Sequence, residues 1–114
     1  MSEQNKSAKN RLADARQLLL SNLNEIDTIS EWADLVGYGC AKKFSADYRN
    51  RYKKRPKKDM INYKLNKAIE LIKSNPEQSL YEVALKIGKK DEKSLHAFFK
   101  RNSYKHPSYY RNTH

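Results

Sequence analysis

A chain of 114 residues has room for one domain, or for two small subdomains sharing a helix, and none for a catalytic domain beside a regulatory one. Its 24 Lys and Arg against 13 Asp and Glu leave a net charge of +11, which makes a polyanion the first partner to consider. A single cysteine, Cys40, excludes an internal disulfide framework and a thiolate zinc site, and no apolar run reaches the roughly 20 residues of a membrane span. The polar start, Met1 to Arg11, lacks a secretory apolar segment, so a soluble, cytoplasmic protein is expected. Residues 1–40 hold four basic and six acidic side chains, residues 41–67 eleven and two, and residues 68–114 nine and five, which concentrates positive charge in the middle.

In chain order, Leu12, Ala15, Leu19 and Leu23 recur at helical spacing and predict a first helix. Thr28 opens a second, with Glu31 three positions on as its capping-box partner. Ile29, Ala33 and Val36 give that helix an apolar face with a small residue at its centre, and Gly37 supplies the left-handed residue that ends it. A third helix is anchored by Phe44 and Tyr48 at i, i+4. Past the basic run 49–58, Ile61, Leu65, Ala68 and Ile72 predict a long helix over about 57–74. Asn75-Pro76 stops it, because proline disfavours helix in the residue before it. Ser79 with Glu82 then repeats the capping box, Leu80, Ala84 and Ile87 the apolar face, Gly88 the stop, and Leu95 and Phe99 the anchors.

The repetition is in strict register. Thr28 to Gly37 aligns with Ser79 to Gly88 at an offset of 51, and the same offset pairs Phe44 with Leu95, Tyr48 with Phe99, Arg49 with Lys100 and Pro56 with Pro107. Each copy reads as a capped helix, a tight turn and a second helix, which is the helix-turn-helix pattern whose second helix enters a major groove. The expected fold is all-α. Residues 1–56 form an N-terminal helix and a first helix-turn-helix subdomain, 57–75 a linking helix, and 76–114 a second helix-turn-helix subdomain. A helical bundle with duplicated packing is the competing reading.

The chain resembles the DNA-binding domain of the AraC/XylS family of bacterial transcription regulators over roughly residues 8–111. The resemblance is carried by Glu82-Val-Ala-Leu-Lys-Ile-Gly88, by Leu95-His-Ala-Phe-Phe-Lys100, by the closing Pro107-Ser-Tyr-Tyr-Arg111, and by the connecting helix with Ala68 and Ile72. It implies a seven-helix, homeodomain-like fold of two subdomains joined by a long helix. It also implies promoter binding through successive major grooves on one face of the duplex. Lys89 and Asp59 stand where the family commonly has an aromatic, and Ala97 where it often has Arg. The second unit is therefore expected to dock while reading few bases.

If Phe44 and Tyr48 point inward, Lys42, Ser45, Ala46 and Arg49 face out, and the second copy offers Lys93, His96, Ala97 and Lys100 in register. Lys42, Ser45, Ala46, Lys93, His96 and Ala97 are the base-facing candidates. Lys and Ser can donate to guanine or phosphate, His can do either, and Ala can only touch a thymine methyl. Arg49, Arg51, Lys53, Lys54, Arg55, Lys57, Lys58, Lys90, Lys100 and Arg101 are the candidate phosphate ligands, with a solvated face as the bland alternative for any one of them.

Trp32 and the eight Tyr could stack single-stranded bases, but most fall at apolar repeat positions or in the Tyr109-Tyr110 tail, where core packing is the expected role. Cys40 reads as an ordinary small turn residue, and His96, His106 and His114 are too scattered in sequence to suggest a metal site. No nucleophile, base and orienting group come together, so neither an enzyme nor a cofactor is expected. The expected function is sequence-preferring binding of double-stranded promoter DNA by a monomer in the bacterial nucleoid, with RNA polymerase as a candidate second partner. A low-specificity architectural DNA- or RNA-binding protein is the alternative, and a protein-interaction module descended from the same fold a third reading. Residues 1–26 are too few for a ligand-binding domain, so regulation through abundance or a place within a longer chain is expected, and the polar start after Met1 favours an intact small protein.

Overall fold

The computed structural model describes residues 11–112. Among the described residues there are six α-helices, two short 3-10 segments and no strand. A 3-10 turn, Leu12–Asp14, runs into α1 (Ala15–Ser21). Then come α2 (Ile29–Val36), α3 (Ala41–Tyr52), α4 (Pro56–Ser74), α5 (Leu80–Lys86), α6 (Glu92–Arg101) and a closing 3-10 segment, Pro107–Asn112. Chain contacts divide the molecule into two compact units, the first up to Asn22 with Ile26–Ile61, the second Leu23–Glu25 with the residues from Asn62 onward. The division falls inside α4. No helix among the described residues is long and apolar enough to cross a membrane.

In the first unit, Leu12, Ala15, Leu19, Trp32, Ala33, Val36, Phe44 and Tyr48 are buried. Trp32 is the centre of this core. Its ring meets Phe44 and Tyr48 edge-on, with centroids 5.3 and 5.1 Å away, and its indole N–H donates to the Ala15 carbonyl at 2.9 Å. A buried indole needs such a partner, because an unpaired donor there costs about 1–3 kcal/mol. In the second unit, Leu65, Ala68, Ile72, Val83, Ala84, Ile87, Leu95, Phe98 and Phe99 form the core. Most of the periodic apolar residues of the sequence are thus buried, Ile29, Ile61 and Leu80 being half-buried, and Trp32 packs as expected.

The helix starts and stops follow local chemistry. Both capping boxes form: Thr28 Oγ1 accepts from the Glu31 amide at 3.1 Å, Ser79 Oγ from the Glu82 amide at 3.1 Å, and each Glu carboxylate reaches back to the cap amide. Gly37 and Gly88 take φ of 105° and 86°, the left-handed conformation the turn needs. The next amide in each copy then folds back onto the central alanine, Tyr38 onto the Ala33 carbonyl and Lys89 onto that of Ala84, both at 2.8 Å. The long helix starts at Pro56, one residue earlier than expected, because a proline's fixed φ and missing N–H suit the first helical position. Its repeat partner Pro107 likewise opens the closing 3-10 segment, and both prolines are buried.

Candidate nucleic-acid interface

The anchors decide which side of each second helix is free. On α3, Phe44 and Tyr48 are buried, leaving Lys42, Ala46 and Arg49 exposed and Ser45 half-buried. On α6, Leu95, Phe98 and Phe99 are buried, leaving Lys93, His96, Ala97, Lys100 and Arg101 exposed. Lys90 is exposed in the turn ahead of α6. Within each unit, the base-facing candidates therefore share one helix.

The basic run wraps the end of α3. Arg49 and Arg51 lie in its last turns, Lys53 ends it in the left-handed conformation at φ 60°, and Lys54 and Arg55 form the turn into α4, whose first turn carries Lys57 and Lys58. All seven side chains are exposed. Ala46, Arg49, Asn50, Lys53, Lys54 and Arg55 line an open depression of about 600 Å³. No ion pair or side-chain hydrogen bond among the described residues engages Arg49, Lys53, Lys54 or Arg55. Several cations sharing one concave surface without a carboxylate repel one another, and an anion laid across them relieves that repulsion.

Behind α3 lies a polar tie that sequence reading missed. Asp59, only 5 % exposed, accepts from Arg16 Nη2 at 2.7 Å and from the Tyr48 hydroxyl at 2.5 Å, while Arg16 Nε donates to that hydroxyl at 3.0 Å. One residue each from α1, α3 and α4 is thereby joined, and the Arg16 guanidinium also covers the Tyr52 ring at 4.1 Å. Burial, then the Asp59 hydrogen bond, holds the Tyr48 hydroxyl well above the usual tyrosine range. The available signal was Asp59 itself, a carboxylate at a position where an aromatic was expected. On the other side of α3, the Tyr38 hydroxyl donates to Asp47 at 2.8 Å, and burial followed by that bond pushes its pKa up to about 12.

One sequence expectation needs correction, the inward packing of both tail tyrosines, and two other positions gain detail. Cys40, in the turn, occupies the N-cap position of α3 without a side-chain capping hydrogen bond, and it is exposed. His96 and His106, ten apart in sequence, meet at 4.3 Å between ring centroids with the rings tilted by 58°, because the closing segment returns beside α6. His114 lies outside the described residues, and no group of three or more metal-binding side chains occurs among those that are described. Tyr109 is exposed, so only its neighbour Tyr110, 5.9 Å from Phe99, packs inward from the tail. Arg111 completes that tail by donating to the Gln78 carbonyl at 3.0 Å, just ahead of α5. Lys89, at a position where an aromatic was expected, lies 4.2 Å from the Phe98 ring centroid and covers it as a cation.

No protein-family model matches the chain, and no curated protein matches it by sequence. Solved structures match it by fold. The DNA-binding domain of AdpA, a global transcriptional factor in complex with a target DNA, superposes with a TM-score of 0.74 at 23% identity, covering 89% of each chain. A transcriptional regulator from Chromobacterium violaceum, of the AraC-type DNA-binding domain-containing proteins, gives 0.71 at 18% identity and 91% of each chain. The chain has the AraC-type DNA-binding fold. In this chain the fold rests on capped helices, left-handed turn glycines and buried anchors, each present twice.

Proposed function

We propose that this AraC-type chain is a DNA-binding transcription regulator that recognises bacterial promoters with a sequence preference. The observation that carries the reading is the duplicated helix-turn-helix with an exposed face on the second helix of each copy. The AdpA domain, similar in fold, is bound to a target DNA. On this reading Lys42, Ser45, Ala46, Lys93, His96 and Ala97 face base edges. Arg49, Arg51, Lys53, Lys54, Arg55, Lys57, Lys58, Lys90, Lys100 and Arg101 engage phosphates, which position the protein without reading sequence. The chain acts as a monomer in the nucleoid on an asymmetric site of about two helical turns, since both units belong to one polypeptide. RNA polymerase is the further partner a promoter-bound regulator would meet.

Selection of bound sequences from a random duplex pool tests this directly. A regulator enriches one motif and retains it against excess random DNA at physiological salt. The low-specificity architectural reading draws on the scarcity of Arg, Asn and Gln among the base-facing residues, whose bidentate contacts discriminate best. It predicts no enriched motif and equal loss on every duplex or RNA as salt rises.

A further inference from the structure

The duplication extends one helix further back than the capped repeat. Arg11, Leu12, Ala15 and Leu19 stand 53 positions ahead of Lys64, Leu65, Ala68 and Ile72, so the helix preceding each helix-turn-helix carries the same pattern of a cation and three apolar residues. The apolar members are buried in both units. The link to the capped helix is two residues shorter in the second copy, which hides the match from an ungapped comparison.

The two cations make comparable contacts one repeat position apart, since Ile87 corresponds to Val36 and not to Leu35 in the 51-residue register. Arg11 Nη2 donates to the Leu35 carbonyl at 2.8 Å, and Lys64 Nζ donates to the Ile87 carbonyl at 2.9 Å. Both carbonyls lie at the C-terminal end of the first helix of a helix-turn-helix, where unsatisfied carbonyls and the helix dipole favour a positive donor. Each cation also rests against the turn glycine. A Cβ added to Gly37 would meet Arg11 Nη1 at 3.2 Å, and one added to Gly88 would meet Lys64 Nζ at 3.1 Å, with the Leu23 and Asn24 carbonyls at 3.2 Å. Both glycines are needed for their positive φ, and at Gly88 the backbone carbonyls of Leu23 and Asn24 also leave little room for a side chain, whereas at Gly37 the near atoms are those of the flexible Arg11 side chain. Lys64 is only 2 % exposed, so this placement is not that of a solvated surface lysine.

We propose that Arg11 and Lys64 are equivalent positioning residues, each clamping the turn of its own unit and, through the turn, seating the helix that carries the base-facing side chains. The consequence for binding rests on the DNA reading above, whereas the clamp itself can be measured without DNA. Two substitutions separate charge from packing in the first unit. Arg11→Met keeps the apolar stem and removes the donor, and Arg11→Lys installs the side chain the second unit already uses.

The full chain carrying each substitution is followed by amide hydrogen exchange, at a temperature where circular dichroism shows it folded. Arg11→Met is expected to speed exchange of the Tyr38 amide about tenfold and leave Lys89 unchanged, while Arg11→Lys stays within about twofold of the parent. Lys64→Met should give the mirror image, and if it does not fold, the Arg11 pair still decides the first unit. Affinity for the selected duplex should drop about tenfold with Arg11→Met and recover with Arg11→Lys. Unaltered Tyr38 exchange in Arg11→Met, or an Arg11→Lys chain no better than Arg11→Met, overturns the clamp. A parent chain that enriches no duplex defeats the DNA reading and leaves the exchange experiment to judge the clamp alone.

Discussion

The hydroxyl of Tyr48 sits where its ring is already fully enclosed, so water cannot replace a partner lost there. Removing the hydroxyl in Tyr48→Phe takes one donor from the buried carboxylate of Asp59 and leaves Arg16 as the remaining partner of the triad. The expected loss is about 1–3 kcal/mol of stability near neutral pH, read by urea unfolding. The sign at high pH follows from the raised tyrosines. Tyr38 at about 12, and Tyr48 raised in the same direction, stay protonated when their unfolded counterparts, near 10.0, begin to ionise. Their contribution is fully present below about pH 10 and is lost as pH rises through the folded values. The parent chain should therefore destabilise from pH 10 upward more steeply than Tyr48→Phe. Parallel curves would show that Tyr48 is not held protonated by its partners.

The two capped helices make nearly independent tests at the scale of an element. Thr28→Ala and Ser79→Ala each remove a side-chain acceptor from an N-cap whose reciprocal glutamate is in place. Each is expected to cost about 1 kcal/mol, with native-state exchange locating the loss in α2 for the first and α5 for the second. Loss spread evenly over both helices would contradict this. These starts were legible in the sequence because a capping box needs only residues three apart, and the turn glycines and apolar anchors are equally local. The Arg16–Tyr48–Asp59 tie joins residues up to 43 apart, and nothing in a one-dimensional pattern announces which buried carboxylate finds which arginine. For the same reason, the meeting of His96 with His106 was invisible until the closing segment was placed against α6. The pairing of Arg11 with Lys64 was hidden by a change of only two residues in link length.

Across the whole molecule, the charge is concentrated rather than spread, and the concentration falls on the exposed end of α3 and the turn into α4. Phosphate contacts release condensed counterions, so each one steepens the salt dependence of binding by about 0.9 in the logarithmic slope. Replacing Arg49, Lys53 and Arg55 together by Gln should flatten that slope by up to about 2.7 while leaving the preferred motif unaltered. Binding isotherms at several salt concentrations measure the change, and an undiminished slope would remove these three residues from the interface. The all-helical architecture and the exposed placement of the candidate residues were readable from periodicity and repeat register. Which bases they contact depends on backbone placement to within an ångström, which residue types do not encode.

Cys40 adds a practical property to that surface. It is the single cysteine of the chain, it is exposed, and it stands at the head of α3. The first-turn amides of Lys43 and then Lys42 face its sulfur, without forming a full capping hydrogen bond, and draw the thiol pKa below its ordinary value. Thiolates are the reactive form, so the sulfur is primed for alkylation under mild conditions. The molecule thereby carries a built-in attachment point for a maleimide fluorophore, one reporter per chain, at the head of α3 and with no other sulfhydryl to mask.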